Sequence, residues 1–200
     1  MDLSTYKKLV AWSEELDGVF TLSDLKIAFA NTSSASMYRD LQVLIKSGDL
    51  IKIKRGYYAT PAAKLTTIAA RLYPKSYIST GTVLAAHKII GSIPERKIQV
   101  ILTGTPSTCS SSLGKIEVLS IAPKMFCGFE RRDDAYWATP EKAYLDACYF
   151  YFRGRKYSFD LESDVDRSRL KPKLIETYLR KYDKRFITFF RDRFWRANGR

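Results

Sequence analysis

Between residues 33 and 59 the sequence SSASMYRDLQVLIKSGDLIKIKRGYYA changes its hydrophobic period at a single glycine. Before Gly48, the residues Met37, Leu41, Leu44 and Ile45 recur at helical spacing, which predicts a helix from about Ser33 to Ser47. Gly48 ends it, because glycine accepts the left-handed backbone of a helix C-terminus. Beyond Gly48, Ile51 and Ile53 alternate with Lys52 and Lys54, the pattern of a strand with one buried face. Arg55 and Gly56 then turn the chain into Tyr57 and Tyr58, which predicts a hairpin.

The upstream residues decide what this helix–hairpin unit belongs to. Leu9, Trp12 and Leu16 predict a first helix over residues 4–16, and DGVF breaks it and leads into a short extended piece. In TLSDLKIAFA, Thr21 and Asp24 have the spacing of a capping box, and Leu22, Leu25 and Phe29 supply an apolar stripe for a second helix. ANTSS is a turn. Helix, helix, turn, helix and hairpin is the order of a winged helix-turn-helix, which we place at residues 1–60.

The residue types on the third helix and the hairpin suit a duplex. Ser33, Ser34 and Ser36 put short hydroxyl side chains at a helix N-terminus, which lets the backbone approach phosphates and base edges closely. Arg39 and Gln42 project away from the apolar stripe, and their fork and amide match guanine and adenine edges in the major groove. Lys46 projects from the same side, and Lys52, Lys54 and Arg55 can meet the neighbouring backbone or minor groove. The plainer alternative is that the serines only cap a helix and the charges only solvate a hairpin. The charge count favours the first account. Residues 1–32 carry three basic and five acidic side chains, net −2, whereas residues 33–60 carry five basic and two acidic, net +3.

Pro61 in ATPAAK interrupts the hairpin and marks a boundary, so residues 61–200 form the second domain. Helices are predicted at 65–73 and 81–90, and strands at 97–104, 114–121, 124–130 and 134–139, with RRDD as a turn between the last two. TPEKAYLDACYFYF starts a helix with Thr139 as N-cap, Pro140 at the first position and Glu141 in the first turn. This is an α+β domain with a mostly antiparallel sheet. Near-helical spacing from 170 to 196 adds a basic C-terminal helix carrying Arg180, Lys181, Lys184, Arg185 and Arg191, a secondary basic surface. Three fates suit such a helix: packing with a solvated basic face, binding nucleic-acid phosphates, or lying on an anionic membrane. The first two can hold together, and we assign no membrane partner.

A formal charge of +13, with 46% hydrophobic and 14% aromatic residues, excludes a disordered polyelectrolyte and points to a polyanionic partner. The N-terminus has no long apolar segment and no run approaches a spanning helix, which predicts a cytoplasmic protein. Cys109, Cys127 and Cys148 lie in separate segments, and the lone His87 has no Cys, Asp or Glu beside it, so neither zinc nor Ser/His/Asp chemistry is expected. Asp133 and Asp134 read as a solvated turn rather than a metal pair. Asp146, flanked by apolar residues, reads as half of a structural ion pair with Lys142 one turn earlier. With no P-loop and no G-x-G-x-x-G, no cofactor is expected, and the protein is read as no enzyme.

Three stretches taken in order, SGDLIKIKRGYYA, YPKSYISTGTVLAAHKIIGSIPERKIQVILTG and ATPEKAYLDACYF, resemble the AbiEi family of antitoxins and transcriptional regulators from abortive-infection, type IV toxin–antitoxin systems. The resemblance covers roughly residues 5–155 and leaves the basic tail outside it. It implies a repressor of its own operon that binds operator repeats in double-stranded DNA. It also implies a second domain that helps oppose a nucleotidyltransferase-like toxin, without a stable complex. Its recognition-helix and wing positions fall on Ser34, Ser36, Arg39, Lys54 and Arg55. The rival reading is an RNA-binding or nucleic-acid-processing protein that uses the basic C-terminal surface.

Overall fold

The computed structural model describes residues 3–29, 33–91 and 96–195. Among these residues, eight helices and two mostly antiparallel sheets make a mixed α+β protein. The chain parts into two compact units, Met1–Pro74 with Thr108–Ile116, and Lys75–Ser107 with Glu117–Arg200. The contacts thus part at Pro74, and the helix at 65–72 that was expected to open the second domain belongs to the first unit.

The first unit runs α1 (Leu3–Glu15), β1 (Val19–Thr21), α2 (Leu22–Ala28), α3 (Ser34–Ser47), β2 (Ile51–Lys54), β3 (Tyr57–Ala59) and α4 (Leu65–Leu72). The Thr21–Asp24 capping box forms: the Thr21 hydroxyl accepts from the Asp24 N–H at 3.2 Å, and the Asp24 carboxylate accepts from the Thr21 N–H at 2.7 Å. Of the ANTSS turn, residues 30–32 lie outside the described residues. Gly48 sits at φ 85° past α3, as its role as a helix stop requires. The three strands pair antiparallel in the order β1-β3-β2, with Phe20 opposite Tyr58 and Ile51 opposite Ala59. Leu9, Phe20, Leu25, Phe29, Met37, Leu41, Leu44 and Tyr58 join the helices and the sheet in one core.

The second unit holds β4 (Tyr77–Ile78), α5 (Gly81–Ala86), β5 (Lys97–Leu102), β8 (Phe129–Arg132), β9 (Ala135–Ala138), α6 (Pro140–Phe152), α7 (Pro172–Leu179) and α8 (Lys184–Arg193). Two further strands, β6 (Ser107–Ser111) and β7 (Gly114–Ser120), complete a sheet of order β6-β7-β5-β4-β9-β8. β4 runs antiparallel to β5 and parallel to β9, where Ile78 lies beside Trp137. Thr108–Ile116, which holds most of β6, the turn after it and the start of β7, belongs to the first unit, where the Cys109 thiol donates to the Ile53 carbonyl at 3.6 Å.

α6 is the centre of the second unit, with Glu141 to Phe150 all buried. A helix apolar on every side needs cover on every side. α5, α7, α8 and β9 supply it. The ionisable groups inside are satisfied: Glu141 accepts from the Lys171 N–H at 3.0 Å, and Lys142 pairs with Asp146 as expected.

Four expectations are corrected here. The helix predicted at 81–90 ends at Ala86, because Lys88 turns the chain through φ 56° and so buries Ile89 and Ile90. The strand predicted at 124–130 is a 3₁₀ turn at Pro123–Met125, with β8 starting only at Phe129, since Pro123 fixes a helical φ. Arg131 and Arg132 belong to β8, which leaves only Asp133 and Asp134 for the turn. The single basic C-terminal helix is two helices, α7 and α8. Asp183 interrupts it by accepting from the Phe186 N–H at 2.9 Å, an N-cap that starts α8 afresh.

Gly128 gives the second unit a local test. It has φ +72°, and an added Cβ would stand 2.9 Å from Tyr178 and 3.1 Å from the Lys142 Cβ. Gly128→Ala should therefore destabilise by about 2 kcal/mol, read as a lower urea midpoint at unchanged m-value.

Candidate nucleic-acid interface

α3 buries Met37, Leu41 and Leu44 and leaves Ala35, Tyr38, Arg39, Gln42, Val43 and Lys46 on its opposite, exposed side. The 100° step per residue places these six on one continuous face. Arg39, Gln42 and Lys46 are thus brought together as the sequence spacing required. The three serines separate into different roles. Ser33 is the N-cap, its hydroxyl accepting from the Ser36 N–H at 3.3 Å; Ser34 is exposed; Ser36 is half-buried.

Tyr38 and Val43, which were not among the expected contact residues, are 46% and 59% exposed on the same face. Their helical spacing from Arg39 and Gln42 was the available signal. An exposed branched aliphatic residue beside a guanidinium and an amide gives this face apolar as well as hydrogen-bonding capacity, a combination able to meet a thymine methyl next to polar base edges.

The hairpin departs from strict alternation. The register shifts between Lys52 and Lys54, so Ile53 is an extra, buried residue on β2. Lys52 and Arg55 are exposed, whereas Lys54 is half-buried. The Lys54 ammonium lies 5.1 Å from the centre of the Tyr57 ring and 4.9 Å from that of Tyr73. Two cation–π contacts of this kind hold the side chain against the protein. Tyr73 lies too far along the chain for sequence pattern to have paired it with Lys54. Lys52 and Arg55 are the outward cations of the hairpin, and Lys54 is anchored beside its turn, opposite Tyr57.

In the second unit, Arg180, Lys181, Lys184 and Arg185 are exposed around the α7–α8 corner. Arg191 differs from them, since its guanidinium donates to Glu176 at 2.7 Å. The apolar residues of this region, Ile175, Leu179, Tyr182, Phe186 and Phe190, are buried. A helix lying on a membrane needs that stripe free, so only the hydrophilic side remains to meet a partner. Among the described residues, no helix is long and apolar enough to cross a membrane.

Asp133 and Asp134 are exposed at the β8–β9 turn, with Asp133 at φ 53°. His87 is exposed just past α5. Cys109 and Cys148 are buried thiols, and burial pushes the Cys148 thiol well above its ordinary value. Among the described residues, no group of three or more His, Cys, Asp or Glu side chains is placed to hold a metal ion. A scan against models of known protein families finds no match to this chain, and no curated protein matches it in sequence.

Proposed function

We propose that the protein is a sequence-specific, DNA-binding repressor of its own operon, acting in the cytoplasm as the antitoxin of a type IV toxin–antitoxin pair. In this reading residues 1–60 are a winged helix-turn-helix, with α3 as recognition helix and β2–β3 as wing. The observation that carries it is the exposed face of α3, where Arg39, Gln42 and Lys46 stand together in a unit that also exposes Lys52 and Arg55. A guanidinium and an amide on an exposed helix face have little to satisfy them but water, and a major groove offers complementary edges. The antitoxin role rests on the resemblance of the three stretches to AbiEi proteins. Its partner is a nucleotidyltransferase-like toxin, opposed without a stable complex.

Binding of the full chain to duplexes selected from a random pool tests the DNA reading. Arg39→Ala should cost about 1–3 kcal/mol on the selected duplex and relax preference at one base pair. Lys52→Ala and Arg55→Ala should weaken binding to selected and random duplexes alike, each flattening the slope of log K against log salt by about 0.9. Lys54→Ala should flatten it less, because its ammonium is engaged by Tyr57 and Tyr73. Unchanged binding in the Arg39, Lys52 and Arg55 variants would refute the docking mode. The exposed quartet Arg180, Lys181, Lys184 and Arg185 favours one rival, RNA binding through the second unit. If neutralising that quartet abolishes nucleic-acid binding while the α3 and hairpin variants leave it intact, the rival holds.

A further inference from the structure

We propose that the second unit carries a binding site for the phosphate group of a small molecule, beside the residue that precedes α5. This inference is independent of the DNA-binding reading. It begins with Thr80, a fully buried residue at φ 58°, ψ −140°. That is a backbone conformation glycine adopts and a β-branched residue rarely does, and strain of this kind gathers at functional sites. Its Oγ1 lies 2.8 Å from the Ser79 carbonyl oxygen and 2.5 Å from Gln99 Oε1. Gln99 donates in turn to Glu117 at 2.9 Å, and Glu117 is also met by Arg155 at 2.6 Å and Lys97 at 3.3 Å. The strained residue is thus locked into a buried polar chain.

A cavity of about 110 Å³ opens at this point. Thr80 and Gln99 line it, Lys97 and Lys156 contribute two cations, and Thr82 and Ser158 contribute hydroxyls. Among the described residues no carboxylate lines it; Glu117 stands behind, engaged by Gln99, Lys97 and Arg155. A lining with two ammonium groups, two hydroxyls and no acid is matched by an anion, and a phosphate oxygen accepts from each of these donors. The volume has room for a phosphate group. Tyr157 and Phe159, with ring centres 5.3 Å apart, add an aromatic side to the cavity. They distinguish two sources of the same chemistry: free phosphate uses the cations and hydroxyls alone, whereas a phosphate monoester with a planar body also uses the rings.

Titration of the full chain with orthophosphate and with AMP, followed by calorimetry, tests the site. Saturable binding of orthophosphate with Kd on the order of 1 mM is expected. Lys156→Gln and Lys97→Gln should each weaken it about tenfold, the loss of one charge-assisted contact, while Arg55→Ala leaves it unchanged. Lys156 is exposed, so K156Q reads binding without disturbing the buried chain around Glu117, and circular dichroism verifies the fold. Tighter binding of AMP than of phosphate assigns a monoester as ligand, and equal binding assigns free phosphate. Absence of saturation by about 10 mM phosphate in the unaltered protein, or binding by K156Q and K97Q as tight as before, overturns the proposal.

Discussion

Asp146→Ala should destabilise the second unit by about 4 kcal/mol, a large part of the roughly 5–15 kcal/mol that holds a typical domain folded. Asp146 and Lys142 are both 0% exposed and face each other one turn apart on α6. The carboxylate also accepts from Tyr77 Oη at 3.0 Å, Ser79 Oγ at 2.8 Å and Tyr182 Oη at 2.9 Å. Lys142 donates to Tyr182 Oη at 2.9 Å and lies over the Tyr77 and Tyr182 rings, 5.5 and 5.3 Å from their centres. Removing the carboxylate leaves an ammonium in the core with one hydroxyl acceptor and strips the acceptor from three hydroxyls. The unpaired charge is the dominant cost. The double variant Lys142→Met, Asp146→Leu replaces both charges with apolar groups of similar length, and should recover the part of the loss that comes from the unpaired charge. Urea unfolding of the two single variants and the double should therefore give a coupling of about 2 kcal/mol or more. A single-variant cost below about 1 kcal/mol would show that the pair is not what organises α6.

That pair also marks how far the sequence could be read. Lys142 and Asp146 stand at i and i+4 within an apolar helix, so local spacing alone proposed them as partners. Tyr77, Ser79 and Tyr182 come from β4, the segment after it and the α7–α8 corner, and no local period connects those places to α6. The first unit was the more legible of the two because its signals are local: a capping box at Thr21 and Asp24, a glycine stop at Gly48, and a switch of period from 3.6 to 2. The missed strands lack such signals. β4 has two residues, too few to alternate. β6 is the edge strand STCSS, whose polar residues suit an edge and hide it from a search for apolar alternation. The continuous helix read over 170–196 failed for a related reason: apolar residues kept nearly helical spacing across a break that Asp183 makes by capping. On α3 the polar residues of the exposed face followed from period alone. The anchoring of Lys54 did not, since it depends on Tyr73 and on a bulge that breaks the alternation.

Alkali should unfold the second unit cooperatively, with stability falling steeply above about pH 10. Burial, and next the negative charge of Asp146, push the Tyr77 and Tyr182 phenols well above the ordinary tyrosine value. Burial likewise raises the Tyr144 and Tyr157 phenols and the Cys148 thiol. In the unfolded chain tyrosines ionise near pH 10 and cysteine near 8.5, whereas in the fold these groups keep their protons. The native state therefore binds more protons than the unfolded state once the pH exceeds those values. The stability these groups contribute is complete below the unfolded values and is lost as pH rises toward the folded ones. Each such group lowers the unfolding free energy by about 1.4 kcal/mol per pH unit, so four tyrosines together approach about 5 kcal/mol per unit. Absorbance near 295 nm, which follows phenolate, should then include a steep step from these four buried phenols that coincides with loss of the near-ultraviolet circular dichroism. Tyr157→Phe sharpens the test, because the Tyr157 hydroxyl is buried without a hydrogen-bond partner among the described residues. Removing it should leave stability at pH 7 unchanged or slightly higher and should move the alkaline midpoint upward. Gradual, non-cooperative ionisation of all the tyrosines near pH 10, with the fold intact, would mean that these phenols are open to solvent and that the core around α6 is not closed.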